Sequence, residues 1–234
     1  MKYIIALVAL FFFSFSKPHP RVLIFTKTMG YHHASIPDGV KAIQQLGVEH
    51  GFDTDTTSSS ELFNSENLKK YKAIVFVSTT GDLFNDDQKA ALVNYMKSGG
   101  GYVGIHAAAD AEYKWPWYNQ LVGAWFDSHP KQQQATIRVV DANDRSTKHL
   151  PKEWIRTDEW YNFKNIQPDL HVLLTIDEST YQGGKNGTMH PMAWYHKVEN
   201  GRAFYTELGH TSESYSDPNY LNHLLGGIEY AIGK

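Results

Sequence analysis

The stretch Gly99-Gly-Gly-Tyr-Val-Gly-Ile-His-Ala-Ala-Ala-Asp110 limits the possible folds of this chain more than any other. Tyr102 to Ile105 is apolar and bounded by glycine, the pattern of a short buried strand, and the residues after it are small and helix-tolerant. A strand that turns this sharply into a helix presents one side chain at the carboxyl edge of a parallel sheet. Gly104, Ala107 and Ala108 let backbone and helix approach closely there, and the presented residue is His106. Such turns commonly carry Ser or Cys as a nucleophile, but this chain has no Cys. An imidazole in that place points to proton transfer or metal ligation, unless it is a core histidine satisfied by the backbone.

The flanking segments fit the same architecture. Arg21–Thr26 reads as a first buried strand, nearly continuous in apolar residues. Ser35 is placed to cap a helix that carries Pro37 in its first turn, runs to about His50 and stops at Gly51. Phe52–Thr57 reads as an edge strand, Glu66–Lys70 as a short helical turn and Ala73–Val77 as a core strand ending in Ser78-Thr-Thr-Gly-Asp82. Asn85 caps a helix through about Ser98. Strands and helices in this alternation, joined by right-handed crossovers, predict a parallel sheet.

Beyond Asp110 the texture changes. A short helix is expected at Trp115–Gly123, a half-buried strand at Gln134–Asp141, a loop at Leu150–Trp154 and a strand at His171–Ile176. His190–His196 and Gly201–Leu208 read as paired strands, and Asp217–Ile232 as an amphipathic helix. No internal repeat or linker divides residues 17–234, which read as a single domain.

The first sixteen residues stand apart. Lys2 precedes the apolar run Ile4–Phe13, the pattern of a secretory signal and too short for a comfortable membrane span, so a periplasmic or secreted protein is expected; an uncleaved anchor is the alternative. With no Cys there is neither a lipid attachment site nor a disulfide. After removal of the signal no stable membrane insertion is expected. The net charge of −3, without a basic block, argues against nucleic acid as a partner. Aromatic residues make up 14% of the chain and cluster in polar surroundings, as at Trp115-Pro-Trp117-Tyr118 and Trp160-Tyr161; aromatic faces beside hydrogen-bonding groups suit sugar rings.

His33, His106, His129, Asp158, Glu159, His190 and His210 fall at strand ends or in loops. Imidazoles and a carboxylate meeting from several strand ends would form either a transition-metal site or an acid/base pair. The spacings are long, with no HxH or HExxH, so spacing does not choose between these readings. Of the adjacent His32 and His33, one is expected to be functional. Each residue also has a plainer reading: His33 bracing the first helix, Asp158 and Glu159 in a solvated turn, His129-Pro130 forming a turn, His190 structural.

Six ordered stretches narrow the choice: Gly30-Tyr-His-His-Ala-Ser-Ile-Pro37, Gly101–Asp110, Trp115-Pro-Trp-Tyr118 with Leu121-Val-Gly123, Asp158-Glu-Trp-Tyr-Asn-Phe163, His190-Pro-Met-Ala-Trp-Tyr195 and Phe204-Tyr-Thr-Glu-Leu-Gly-His-Thr211. Together they resemble the trehalose-utilisation (ThuA-like) family. The resemblance implies a flavodoxin-like three-layer α/β sandwich of the class I glutamine-amidotransferase-like superfamily, with a mostly parallel central sheet and added C-terminal strands. That superfamily places a catalytic Cys at the elbow and a late His with an acid beside it. Here His106 replaces the Cys, and His210 with Glu213 matches the late pair, which removes glutamine hydrolysis. The family's association with glycoside catabolism, often beside dehydrogenases that make 3-keto sugars, implies an enzyme acting on a glycoside or 3-keto sugar as a lyase, hydratase, isomerase or hydrolase, exported if the N-terminal pattern is a signal. On this reading His106, His210, Glu159 and Glu213 are catalytic, while His33, His106 and His210 hold a divalent metal such as zinc. Trp115, Trp117, Tyr118, Asp158, Tyr161 and His190 would contact a small saccharide. No nucleotide cofactor is expected, and a homodimer is a possible assembly. The competing expectation is a non-catalytic saccharide-binding protein that uses the same pocket.

Overall fold

The apolar runs that read as parallel strands form the centre of the fold in a computed structural model, which describes residues 18–234. The segment read as an export signal, 1–16, lies outside the described residues. In chain order the elements are β1 (Arg21–Phe25), α1 (Ile36–His50), β2 (Asp53–Thr57), α2 (Ser65–Leu68), β3 (Ala73–Val77), α3 (Asp86–Lys97), β4 (Gly101–Ile105), α4 (Pro116–Val122) and β5 (Trp125–Ser128). Then follow β6 (Gln133–Val139), β7 (Glu153–Asp158), β8 (Asn162–Lys164), β9 (His171–Ile176), β10 (Pro191–Val198), β11 (Gly201–Thr206) and α5 (Pro218–Ile232).

Among the described residues, nine strands form one sheet in the order β2-β1-β3-β4-β11-β10-β9-β6-β7, and β5 pairs with β8 in a separate ribbon. The first five strands are mutually parallel, and the remaining pairings are antiparallel. Side chains alternate across β1: Val22 and Ile24 join a core with Ile43 of α1 and Leu224 of α5, while Leu23 and Phe25 join one with Leu92 of α3 and Leu121 of α4. Helices on both faces of the sheet complete the three-layer α/β sandwich. Each fully buried aliphatic or aromatic side chain of these strands contributes about 1.5–3 kcal/mol, so the central strands are the rigid base of the fold. Gly104 is needed here because a Cβ on it would lie 2.7 Å from the Tyr102 hydroxyl and 2.9 Å from the Tyr205 ring.

Two expectations change. Asn85 does cap α3, reciprocally with Gln88, but Ser35 does not cap α1; its hydroxyl donates to the Gly209 carbonyl at 3.2 Å. The loop expected at Leu150–Trp154 gives way at Glu153 to β7. Arg156 and Asp158 point to the buried side of this strand as an ion pair, which hides the hydrophobic alternation that marks most strands.

The direction of β7 matters for function. From β11, four successive antiparallel pairings restore the original direction at β7, so Asp158 leaves the sheet at the same rim as the carboxyl ends of β1, β3, β4 and β11. The chain then crosses back to β11, where the Tyr161 amide donates to the Glu207 carboxylate at 3.0 Å. None of the described helices is long and apolar enough to cross a membrane.

Candidate functional site

β4 ends in the sharp turn that its glycines and alanines foreshadow. His106 adopts φ +48°, a left-handed conformation that costs a non-glycine residue about 1–2 kcal/mol. The turn is held by the Tyr205 hydroxyl, which donates to the His106 carbonyl at 2.7 Å. The ring is fully buried, with Nδ1 2.8 Å from the Glu207 carbonyl. A carbonyl only accepts, so Nδ1 carries the proton and Nε2 keeps its lone pair. One nitrogen is thus satisfied by the backbone, as a core histidine's would be, while the other faces a cluster of polar groups.

That cluster comprises His33, His106, Glu159 and His210, each able to offer one ligand atom, with these four atoms all within 4.8 Å of one another. His106 Nε2 lies 3.1 Å from His210 Nδ1 and 3.4 Å from Glu159 Oε2, and His210 Nδ1 lies 3.2 Å from the same oxygen. His33 packs edge-on against both histidines, with ring centroids 4.8 Å from His106 and 5.2 Å from His210. Each side chain comes from a different strand end. The loop carrying His33 is tied to Thr80, which accepts from the Met29 and Gly30 amides and donates from its hydroxyl to the Tyr31 carbonyl. Gly209, at φ +110°, aims His210 inward; its amide reaches Asp158 at 3.4 Å. Glu159 is positioned in turn by its own amide, which donates to Asp158.

The electrostatics set a neutral His33 beside an ionised Glu159 that pulls His210 toward its charged form. Burial, then the neighbouring His106 and His210, pushes His33 down to about 3, so it is unprotonated at neutral pH. Burial opposes ionisation of Glu159, but hydrogen bonds and charge from His106 and His210 outweigh it and hold this carboxyl below its usual range. Burial likewise disfavours charge on His210, yet Glu159 more than compensates and raises it. Beneath the cluster, burial and the charge of Asp158 hold Glu207 well above the usual carboxylate range, and its Oε2 has no hydrogen-bond partner.

His33, Glu159 and His210 line a cleft of about 400 Å³ together with Tyr31, Asp110, Phe126, His129 and Tyr161, and the fully buried His106 lies behind this wall. Tyr161 packs at a tilt against His106 and against Phe126, each at 4.3 Å, and His129 Nδ1 contacts the second oxygen of Glu159 at 3.1 Å. Of the histidine pair, His33 is buried in the cluster, whereas His32 is exposed and bonded to Thr28.

Other expected site residues lie elsewhere. Asp158 is fully buried against Arg156, Ser214 and Gly209, so it braces the site and has no access to a sugar. Glu213 is exposed and outside the cluster, where Glu159 provides the carboxylate instead. Tyr118 is fully buried and donates to the Ala108 carbonyl. Trp115 and Trp117 stack on each other beside Lys89 and Glu199, outside the cleft. His190 is buried between the Tyr161 carbonyl and Glu178, so it supports the Tyr161 segment from behind. The sequence reading missed Tyr31, Asp110, Phe126 and Glu207. Asp110 and Glu207 each lie within stretches already singled out, at the ends of strand-like runs, and that placement was the available signal.

A flavodoxin-like α/β protein with a strained histidine elbow in place of a nucleophile is the class that this fold and site define. A family model described as ThuA, trehalose utilisation, matches residues 21–231, and the chain belongs to that family. Among solved structures it is similar to a putative ThuA-like protein from Bacteroides uniformis, with TM-score 0.79, 23% identity and 96% of each chain covered. A putative ThuA-like protein from Parabacteroides merdae has TM-score 0.78 and 22% identity over 93% of this chain and 91% of that one. A cytoplasmic protein from Salmonella typhimurium has TM-score 0.66 and 13% identity over 90% of this chain and 99% of that one. These likenesses concern the fold. No curated protein matches in sequence.

Proposed function

We propose that this protein is an exported carbohydrate-catabolism enzyme that acts on a glycoside or 3-keto sugar, with His33, His106, Glu159 and His210 as ligands to a divalent metal such as zinc. The observation that carries the reading is the convergence of three imidazoles and one carboxylate from four separate strand ends, with His33, Glu159 and His210 on the wall of one cleft and His106 behind them. The donor set fits the ion. Contacts of 3.1, 3.4 and 3.2 Å among His106 Nε2, His210 Nδ1 and Glu159 Oε2 are the separations that three donors have when each lies about 2 Å from a shared zinc ion, and His33 offers its nitrogen within 4.8 Å of them. The Glu207 carbonyl fixes the His106 tautomer, and His129 engages the second oxygen of Glu159, the kind of outer support that metal ligands receive. The buried, unprotonated His33 offers a lone pair without a competing proton.

A divalent ion there would supply Lewis acidity to polarise a substrate carbonyl or hydroxyl. The chain's own groups define the rest of the site. Tyr31 and Phe126 offer aromatic surface to a sugar ring, and the cleft volume falls in the range of small-molecule sites. The family's description as trehalose utilisation supports a carbohydrate substrate, and the apolar segment Ile4–Phe13 supports export.

The test is incubation with a panel of native and 3-oxidised glycosides, read by mass, with metal content measured on protein purified without chelator. Conversion of one member is expected, with about one zinc per chain as for a single such site. Glu159→Gln should lose the metal and at least about 100-fold in kcat/KM. Sugar binding without any conversion would instead favour a binding protein. Full activity of metal-free protein would refute the metal assignment.

A further inference from the structure

We propose that Asp110 is the proton-transfer group of the cleft, with the Tyr113 hydroxyl as its hydrogen-bond partner in both protonation states. This deepens the reading above and rests on it. If His33, His106, Glu159 and His210 bind a metal, their lone pairs are committed and cannot also serve as a base. His129 spends Nδ1 on Glu159 at 3.1 Å and on the Pro130 carbonyl at 2.9 Å, so its Nε2 is the rival base, which Asp110→Asn exchanging at the wild-type rate would identify. Burial holds the Tyr161 phenol in its neutral form. Asp110 is the remaining carboxyl group on the cleft wall.

Its surroundings suit a group that alternates between acid and carboxylate. Tyr113 Oη lies 2.6 Å from Asp110 Oδ1 and 3.0 Å from the Phe126 carbonyl, yet it has one proton for the two acceptors. When Asp110 is ionised, Tyr113 donates to it. When Asp110 is protonated, the carboxylic acid can donate to Tyr113 Oη while Tyr113 donates to Phe126. Either state leaves a complete chain of hydrogen bonds, so gaining or losing a proton requires only rotation of a hydroxyl. The backbone of Asp110 is fixed by its amide, which donates to Ala107, and by its carbonyl, which accepts from Gly81. Burial also raises the Asp110 pKa, which makes the protonated form easier to reach.

The substrate class is a sugar carrying a ketone. The Asp110 carboxylate takes a proton from the carbon beside the carbonyl. The C–H electron pair becomes a C=C bond as the carbonyl π pair moves onto oxygen, giving an enolate. Return of a proton from Asp110 to the same carbon reverses the step, so in D2O the carbon acquires deuterium with no other reactant.

The experiment compares wild type and Asp110→Asn, both checked for zinc content and melting temperature, incubated in D2O with a 3-oxidised glucose disaccharide and read by mass above a buffer blank. Wild type should incorporate deuterium beside the ketone, and Asp110→Asn should do so about 10²–10⁴-fold more slowly at unchanged zinc content. Tyr113→Phe keeps the carboxylate but removes its partner, and should slow exchange about tenfold. Asp110→Asn exchanging at the wild-type rate overturns the proposal and leaves the metal-and-sugar reading standing. Wild type that neither exchanges nor converts the ketone overturns both. If Asp110→Asn fails to fold, Tyr113→Phe decides, and a folded Tyr113→Phe with wild-type exchange overturns the pairing.

Discussion

Asp158→Asn separates a bracing carboxylate from a sugar-binding one. The Asp158 carboxylate is fully buried and accepts from Arg156 Nη2 at 3.0 Å, Ser214 Oγ at 3.2 Å, the Gly209 amide at 3.4 Å and the Glu159 amide at 3.0 Å. The Arg156 side chain is 8% exposed, so water cannot replace the lost partner. An asparagine has one acceptor oxygen for these donors, and its NH2 turns a donor toward others. Removing the charge from such a buried pair costs about 3–5 kcal/mol, a large part of the roughly 5–15 kcal/mol that stabilises a domain. At about 2–4 °C per kcal/mol for a chain of this size, the melting temperature should fall by roughly 6–20 °C. Urea titration should show a lower midpoint at unchanged slope, and Glu213→Gln, on the exposed turn nearby, should stay within about 0.5 kcal/mol of wild type. A loss below about 1 kcal/mol, accompanied by weaker sugar binding, would refute the bracing role and restore Asp158 to the cleft.

Other residues carry further expectations. His223 is buried between the Ser146 carbonyl, to which Nδ1–H donates, and the Thr206 hydroxyl, which donates to Nε2; burial pushes its pKa down to about 4. The unfolded chain therefore binds a proton near pH 6.5 that the folded chain refuses, and acidification from pH 6.5 to 5 should remove about 2 kcal/mol of stability. His33, held down to about 3, adds its own share, so His223→Gln should reduce that slope in urea titrations across this range, and an unchanged slope would show that His223 does not contribute. Tyr31→Ala, at the cleft rim, should weaken sugar affinity by about 2–10-fold in calorimetry, the worth of one stacking face. Trp117→Ala, outside the cleft against Trp115, should leave that affinity within about twofold; a larger loss would mean that the Trp pair binds sugar after all.

Local signals along the chain determined the parallel half of the sheet, the β4 elbow and the histidines of the site. Apolar runs bounded by glycine have few alternatives to buried strands, and strand ends in a parallel sheet share one rim. That is why His33, His106 and His210, far apart in sequence, could be grouped before any coordinates. The tertiary structure alone decided which carboxylate joins them. Asp158 and Glu159 are adjacent, and only the direction of β7, restored by successive antiparallel pairings, turns one into the Arg156 pair and the other into the cluster. Sequence does not encode pairing partners locally, and a strand whose buried face carries an ion pair lacks the alternation that would reveal it. The same limit applies to Trp115 and Trp117, whose composition suits a sugar but whose place is set by packing around α4, and to Asp110, whose role depends on a tyrosine hydroxyl shared with the next strand's carbonyl.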